Sequence, residues 1–308
     1  MKKHISSVLF YSLVFSQIEY NPEKVKVAFE KSMDRDEPYK LGELSSRKKT
    51  VPVGNIIKKT HVSKKIYPGV KRDYWVYVPS QYNETTDASL VIFQDGELYL
   101  YGGDVKPDIV FDNLIHSGDM PITIGLFLNP GDKLVGNPTH WKEDDNRSYE
   151  YDTMNDLYAR FLIEEMFPLL KKDYNISSKP EDVAIIGISS GGICAFNAAW
   201  HRPDVFGKVV SHCGSFVNIR GADRYPQIVR ESPKKNIKVF LQSGEKDVAI
   251  SIGSWPFKNK EMADSFMFKG YDYIFVFGKG GHTLMHGGEI FPETMKWIWN
   301  DNYKFGKS

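Results

Sequence analysis

The chain has 308 residues, 41% of them hydrophobic, and its 40 basic and 39 acidic side chains leave a formal net charge of +1. That length and apolar fraction suit one large α/β domain with a substantial core. The balanced charge carries no electrostatic footprint for nucleic acid, and past residue 20 no apolar run reaches the roughly 18 residues needed to span a bilayer.

Lys2 and Lys3 precede an apolar stretch from Ile5 to Phe15. This is the charge-then-apolar pattern of a secretory signal over residues 1–17, and it predicts a periplasmic or secreted protein. The alternative is an N-terminal helix on a cytoplasmic domain, since no small-x-small pair precedes Gln17 or Glu19. No Cys follows to carry a lipid. Residues 18–50 read as a polar leader with weak helical character, packed loosely on a single domain over 51–308. The lysines of 48–72 read as a solvated face on edge strands, where Lys blocks edge-to-edge pairing. Cys194 and Cys213 are too few for a disulfide framework, and the expectation is two buried thiols.

From Asp73 the pattern sharpens. Tyr74–Val78 is a strand closed by Pro79. Leu90–Gln94 and Ile122–Leu128 are continuous apolar runs, as buried parallel strands are. Gly131 to Ser148 reads as a loop, and 152–174 carries apolar residues at helical spacing. Val183–Gly187 is another buried strand, followed by an Ala-rich helix over 191–201. Strands at 208–212, 237–242 and 273–277 alternate with helices at 257–269 and 292–299. The alternation predicts an α/β fold, with a mostly parallel central sheet and helices on both faces.

Gly187-Ile188-Ser189-Ser190-Gly191 fits the G-x-S-x-G elbow, with an apolar strand entering and a helix leaving. The glycines let the turn close without a Cβ clash, and Ser189 is left at a helix start, where free N–H groups favour developing negative charge. A serine hydroxyl needs a base to take its proton. In the chain order Ser, acid, His, the base follows the last core strand. His282, after Gly280-Gly281, fills that place, with His286 as the rival and His212 as a structural residue or substrate contact. The acid follows the preceding strand, in Ser243-Gly244-Glu245-Lys246-Asp247. Asp247 is deeper in the loop and is preferred, with Glu245 as the alternative. Oxyanion donors are expected at the Ser190 amide and at Gly96 or Glu97. Asp95 could instead cap the next helix.

With these pieces placed, the chain resembles the "Putative esterase" family of α/β-hydrolases, which includes enterochelin esterases, esterase D-like enzymes, and feruloyl and acetyl esterases. The resemblance runs from about Lys71 to Trp299. It rests on Phe93-Gln94-Asp95-Gly96, the elbow with its doubled Gly191-Gly192, Cys213-Gly214-Ser215-Phe216, Ser243-Gly244-Glu245-Lys246-Asp247 and Gly280-Gly281-His282. It implies a triad on Ser189, Asp247 and His282. Lys246 departs from the Asn that many relatives carry there. In Asn146-Arg147-Ser148-Tyr149-Glu150-Tyr151-Asp152, Arg147 and Glu150 read either as substrate-binding residues or as an ion pair anchoring the loop. Trp141 and Trp255 read as aromatic substrate contacts or as core.

The expectation is an esterase working through an acyl-enzyme on Ser189, without metal or organic cofactor. Its substrate would be a carbohydrate-linked or other small ester. Acyl transfer or lactone opening on the same residues is the alternative, as is a non-catalytic binding protein that kept the fold. The pattern specifies no oligomeric state.

Overall fold

A computed structural model describes residues 22–133 and 146–306. The signal-like segment and Trp141 lie outside the described residues. Eight strands form one sheet: β1 (Asn55–Val62), β2 (Lys71–Val78), β3 (Ser89–Gln94), β4 (Thr123–Leu128), β5 (Val183–Ile188), β6 (Lys208–His212), β7 (Lys238–Gly244) and β8 (Asp272–Gly278). Their order is β1-β2-β4-β3-β5-β6-β7-β8. The first two pairings are antiparallel and all others parallel. The apolar runs at 90–94, 122–128 and 183–187 are the buried centre of this sheet, with every residue of β3, β4 and β5 buried. The Lys-bearing segment supplies the half-exposed edge strand β1.

The helices are α1 (Pro22–Ser32), α2 (Gly96–Tyr101), α3 (Pro107–Ser117), α4 (Asn146–Asp152), α5 (157–173, with a π-helical turn at Leu162–Met166), α6 (Ser190–His201), α7 (Tyr225–Glu231), α8 (Trp255–Lys269), α9 (Met285–Glu289) and α10 (Phe291–Trp299). Two apolar clusters fill the space on either side of the sheet. One is built around Phe161, Phe196 and Phe216, the other around Phe93, Phe111 and Phe291. Both cysteines are free and buried. Among the described residues no helix is long and apolar enough to cross a membrane.

The leader departs from expectation. It is not loosely packed: α1 and the residues after it are tied to the loop that follows β8. The carbonyl of Ser32 accepts from the His282 amide at 2.6 Å. Glu37 Oε1 accepts from the Gly281 amide and the Thr283 hydroxyl, both at 2.9 Å. Tyr39 accepts from the Lys279 amide at 2.7 Å and stacks on His286 with ring centroids 4.1 Å apart. Polar composition hid this because the links are made by backbone groups and by side chains that also read as solvated.

Candidate active site

Parallel strands present their carboxyl ends on one rim of the sheet, where open α/β folds build their sites. Ser189 follows β5, Asp95 follows β3, Asp247 follows β7 and His282 follows β8. Ser189 has φ 59° and ψ −123°, a conformation an L-residue adopts only under constraint. Neighbouring glycines make it possible. A Cβ on Gly187 would lie 2.2 Å from the Gly191 backbone, and one on Gly191 would lie 2.9 Å from an Asp95 carboxylate oxygen. The turn places Ser189 immediately before the first residue of α6, Ser190.

His282 Nδ1 lies 2.6 Å from Asp247 Oδ1, with both side chains almost wholly buried. The carboxylate is itself fixed, since the Val248 amide donates to Oδ1 at 2.7 Å and the Ser243 hydroxyl to Oδ2 at 3.0 Å. Glu245 is exposed. Of the rivals for the base, His286 is engaged with Gln242 at 3.2 Å beneath Tyr39. His212 is fully buried against the Tyr99 hydroxyl at 2.8 Å, where burial, with His286 nearby, pushes its pKa down to about 3. That is the structural role, not the substrate contact. Cys213 Sγ, His282 and Asp247 gather within 4.8 Å of one another. Burial, together with the Asp247 charge, pushes the thiol pKa well up, and the neutral thiol donates to the Gln242 and Gly281 oxygens. The three side chains form one close, buried cluster.

Ser189, Ser190 and His282 line one cavity of about 770 Å³. Apolar walls come from Val25, Phe29, Leu98, Ile188, Ile219 and Trp255, and polar ones from Glu97, Asn129 and Arg147. In the first turn of α2, Gly96 is buried against β4, where a Cβ would meet the Phe127 and Leu128 backbone at 2.4–2.5 Å. Glu97 stands on the cavity wall. Its amide donates to Asn129 Oδ1 at 3.1 Å, and Asn129 Nδ2 returns a bond to the Glu97 carboxylate at 3.0 Å.

Arg147 and Glu150 do not pair with each other. Arg147 makes a two-pronged pair with Asp95, both contacts at 2.7 Å, and also reaches the Ile188 carbonyl. Burial alone would lower its pKa, but the Asp95 charge and hydrogen bond outweigh that and raise it. Asp95 occupies the N-cap position of α2 but makes no side-chain cap there, its carboxylate being turned to Arg147 instead. Glu150 is a correction to the expected substrate contacts. It forms a fully buried two-pronged pair with Arg72, at 2.6 and 2.9 Å, away from the cavity. A carboxylate that turns into the core finds a guanidinium there or is not tolerated. Trp255 is fully buried and forms cavity wall. Its indole N–H donates to Ser215 Oγ at 3.0 Å, and its ring meets His282 edge-on at 6.0 Å.

Sequence reasoning missed two contributors. Ser215 Oγ lies 3.2 Å from Ser189 Oγ, bridging it to Trp255. It sat in the quoted Cys213–Phe216 segment, but a lone serine gives no pattern of its own. Phe29 packs edge-on against both His282 and Trp255, at 5.7 and 5.9 Å. Its signal was available in the spacing of Val25, Ala28, Phe29 and Ser32, one face of a helix.

The chain is 22% identical over 202 residues to Uncharacterized protein YbbA of Bacillus subtilis (strain 168), covering 64% of this chain and 74% of the relative. It is 26% identical over 166 residues to Iron(III) enterobactin esterase of Escherichia coli (strain K12), covering 54% of this chain and only 36% of that longer protein. Among solved structures, a ferulic acid esterase from Anaeromyces mucronatus in complex with ferulic acid superposes with TM-score 0.68 at 16% identity, covering 85% of this chain and 96% of that one. The enterobactin esterase of Shigella flexneri superposes with TM-score 0.62 at 18% identity, covering 85% and 61%. Residues 67–282 match the family described as Putative esterase, and the chain belongs to that esterase family.

Proposed function

We propose that this protein hydrolyses carboxylic esters through an acyl-enzyme on Ser189. The observation that carries the reading is that Ser189 and an imidazole fixed by Asp247 line the same cavity. The Ser189 oxygen attacks the ester carbonyl while His282 Nε2 takes its proton, and Asp247 holds Nδ1–H and stabilises the imidazolium. The tetrahedral oxyanion is received by the Ser190 amide at the start of α6. The second donor is the Glu97 amide, which exchanges the Asn129 side chain for the oxyanion. His282 then protonates the departing alcohol. Water, activated by the same imidazole, releases the acid in a second cycle.

A mostly apolar cavity of about 770 Å³ accommodates a ring-sized group. The solved relatives are named for ferulic acid and enterobactin esters, which supports small aryl or carbohydrate-linked esters as substrates. The test is hydrolysis of p-nitrophenyl acetate by the wild type and by Ser189→Ala. Turnover that disappears in the variant is the expected result. A silent wild type, or equal rates in both, removes the assignment.

A further inference from the structure

The leader forms part of the wall of the cavity that holds Ser189 and His282. Val25, Lys26 and Phe29 of α1, with Met33 just beyond it, line that cavity together with Leu98 and Ile219. The inward face of α1 follows helical spacing: Val25, Ala28 and Phe29 are half-buried and Ser32 is buried, while Glu23, Lys24, Val27, Glu30 and Lys31 are exposed, and Lys26 is exposed yet borders the cavity. An isolated helix of 11 residues is marginal in water, so α1 exists because that face is docked. Phe29 sits where the docking matters most, edge-on to the candidate base and to Trp255.

We propose that α1 is the selectivity wall of the ester site, with Phe29 and Val25 contacting the apolar part of the substrate. The proposal rests on the ester-hydrolase reading above. The apolar surface that α1 presents is open to a ligand on its cavity side. A longer acyl or aryl group gains burial against Val25 and Phe29, whereas an acetyl group is too short to profit from it. Removing the Phe29 ring therefore penalises large substrates more than small ones, since each buried methylene contributes about 0.8 kcal/mol, or roughly fourfold. The carbonyl at Ser32 and the carboxylate at Glu37 hold the His282 loop, so the same segment both orients the base and shapes the cavity beside it.

The experiment measures kcat/KM for p-nitrophenyl acetate, butyrate and octanoate with the full chain and with Phe29→Ala, Val25→Trp and Ser189→Ala. Circular dichroism melts check the fold of each variant. The expected result is that Phe29→Ala lowers the octanoate-to-acetate ratio at least fivefold. Val25→Trp, which narrows the cavity, should shift the ratio toward acetate even if Phe29→Ala proves unstable. Ser189-dependent turnover with an unchanged ratio in both variants overturns the selectivity wall and leaves the ester-hydrolase reading standing. Turnover that survives Ser189→Ala overturns both.

Discussion

At the scale of the residue, the proposed chemistry needs an imidazole held in one orientation, and Asp247 is the group that holds His282. Its two oxygens accept from His282, Val248 and Ser243, so it can hold only one tautomer of the imidazole. Asp247→Asn is expected to lower kcat by about 10⁴-fold. Glu245→Gln, on an exposed side chain, should leave kcat within about twofold, and steady-state kinetics on p-nitrophenyl acetate reads both. Ser189, His282 and Asp247 were legible in the sequence because each stands next to a strand end marked by glycine. Glu150 was misread because sequence shows that a residue is charged but not which way it faces. Paired with Arg72 at no solvent exposure, it should be structural. Glu150→Ala is expected to destabilise the fold by about 3–5 kcal/mol, since it strands a buried guanidinium. Urea denaturation would show it, and a variant as stable as wild type would contradict it.

At the scale of the element, glycines mark where two backbones touch, and each touch carries a prediction. The elbow is the closest approach of β5 and α6. Gly187→Ala would push a methyl into the Gly191 backbone and is expected to cost about 1–3 kcal/mol, read as a fall in melting temperature. Gly281 is different, because its neighbour is the leader. A Cβ there would fall 2.0 Å from the Ser32 carbonyl, so Gly281→Ala must move either α1 or the His282 loop. Displacing the base by about 1 Å is expected to reduce turnover of every ester about 100-fold. An unchanged kcat would contradict the docking of the leader on that loop. The strands were legible in sequence because buried parallel strands are continuous apolar runs. The short α2 offers too few residues to show a period, whereas α3 carries cues that the sequence reading passed over: Pro107 at its start, Val110, Phe111, Leu114 and Ile115 at helical spacing, and Gly118 after its end. The packing of α1 was legible only in part: the spacing of Val25, Ala28, Phe29 and Ser32 marks an inward face, but its polar anchors, the Ser32 carbonyl, the Glu37 carboxylate and the Tyr39 hydroxyl, belong to a segment that reads as polar surface.

At the scale of the whole molecule, the fold is expected to be acid-labile. His212 is buried and neutral, its pKa pushed down to about 3, so the unfolded chain binds a proton near pH 6.5 that the folded chain refuses. Burial also lowers the pKa of His201 and His286. Glu165 adds to this at lower pH. Burial alone would raise it, but the amides of Ile66 and Lys64, the Ser63 hydroxyl and His61 hold it down to about 2. Stability from His212 is present above about pH 6.5 and is lost as pH falls toward 3, and His201 and His286 act in the same direction. That from Glu165 is present above about 4.5 and is lost toward 2. The melting temperature should therefore drop steadily from pH 7 to pH 4, and a flat profile would contradict the buried neutral state of His212. The proposed hydrolysis depends on one oxygen, that of Ser189, being activated at one place on the sheet rim. The most direct measurement is peptide mapping by mass spectrometry after treatment with a fluorophosphonate. A single adduct on Ser189, absent from the His282→Ala chain, is the result this account predicts. An adduct on another serine, or none on the native protein, would contradict it.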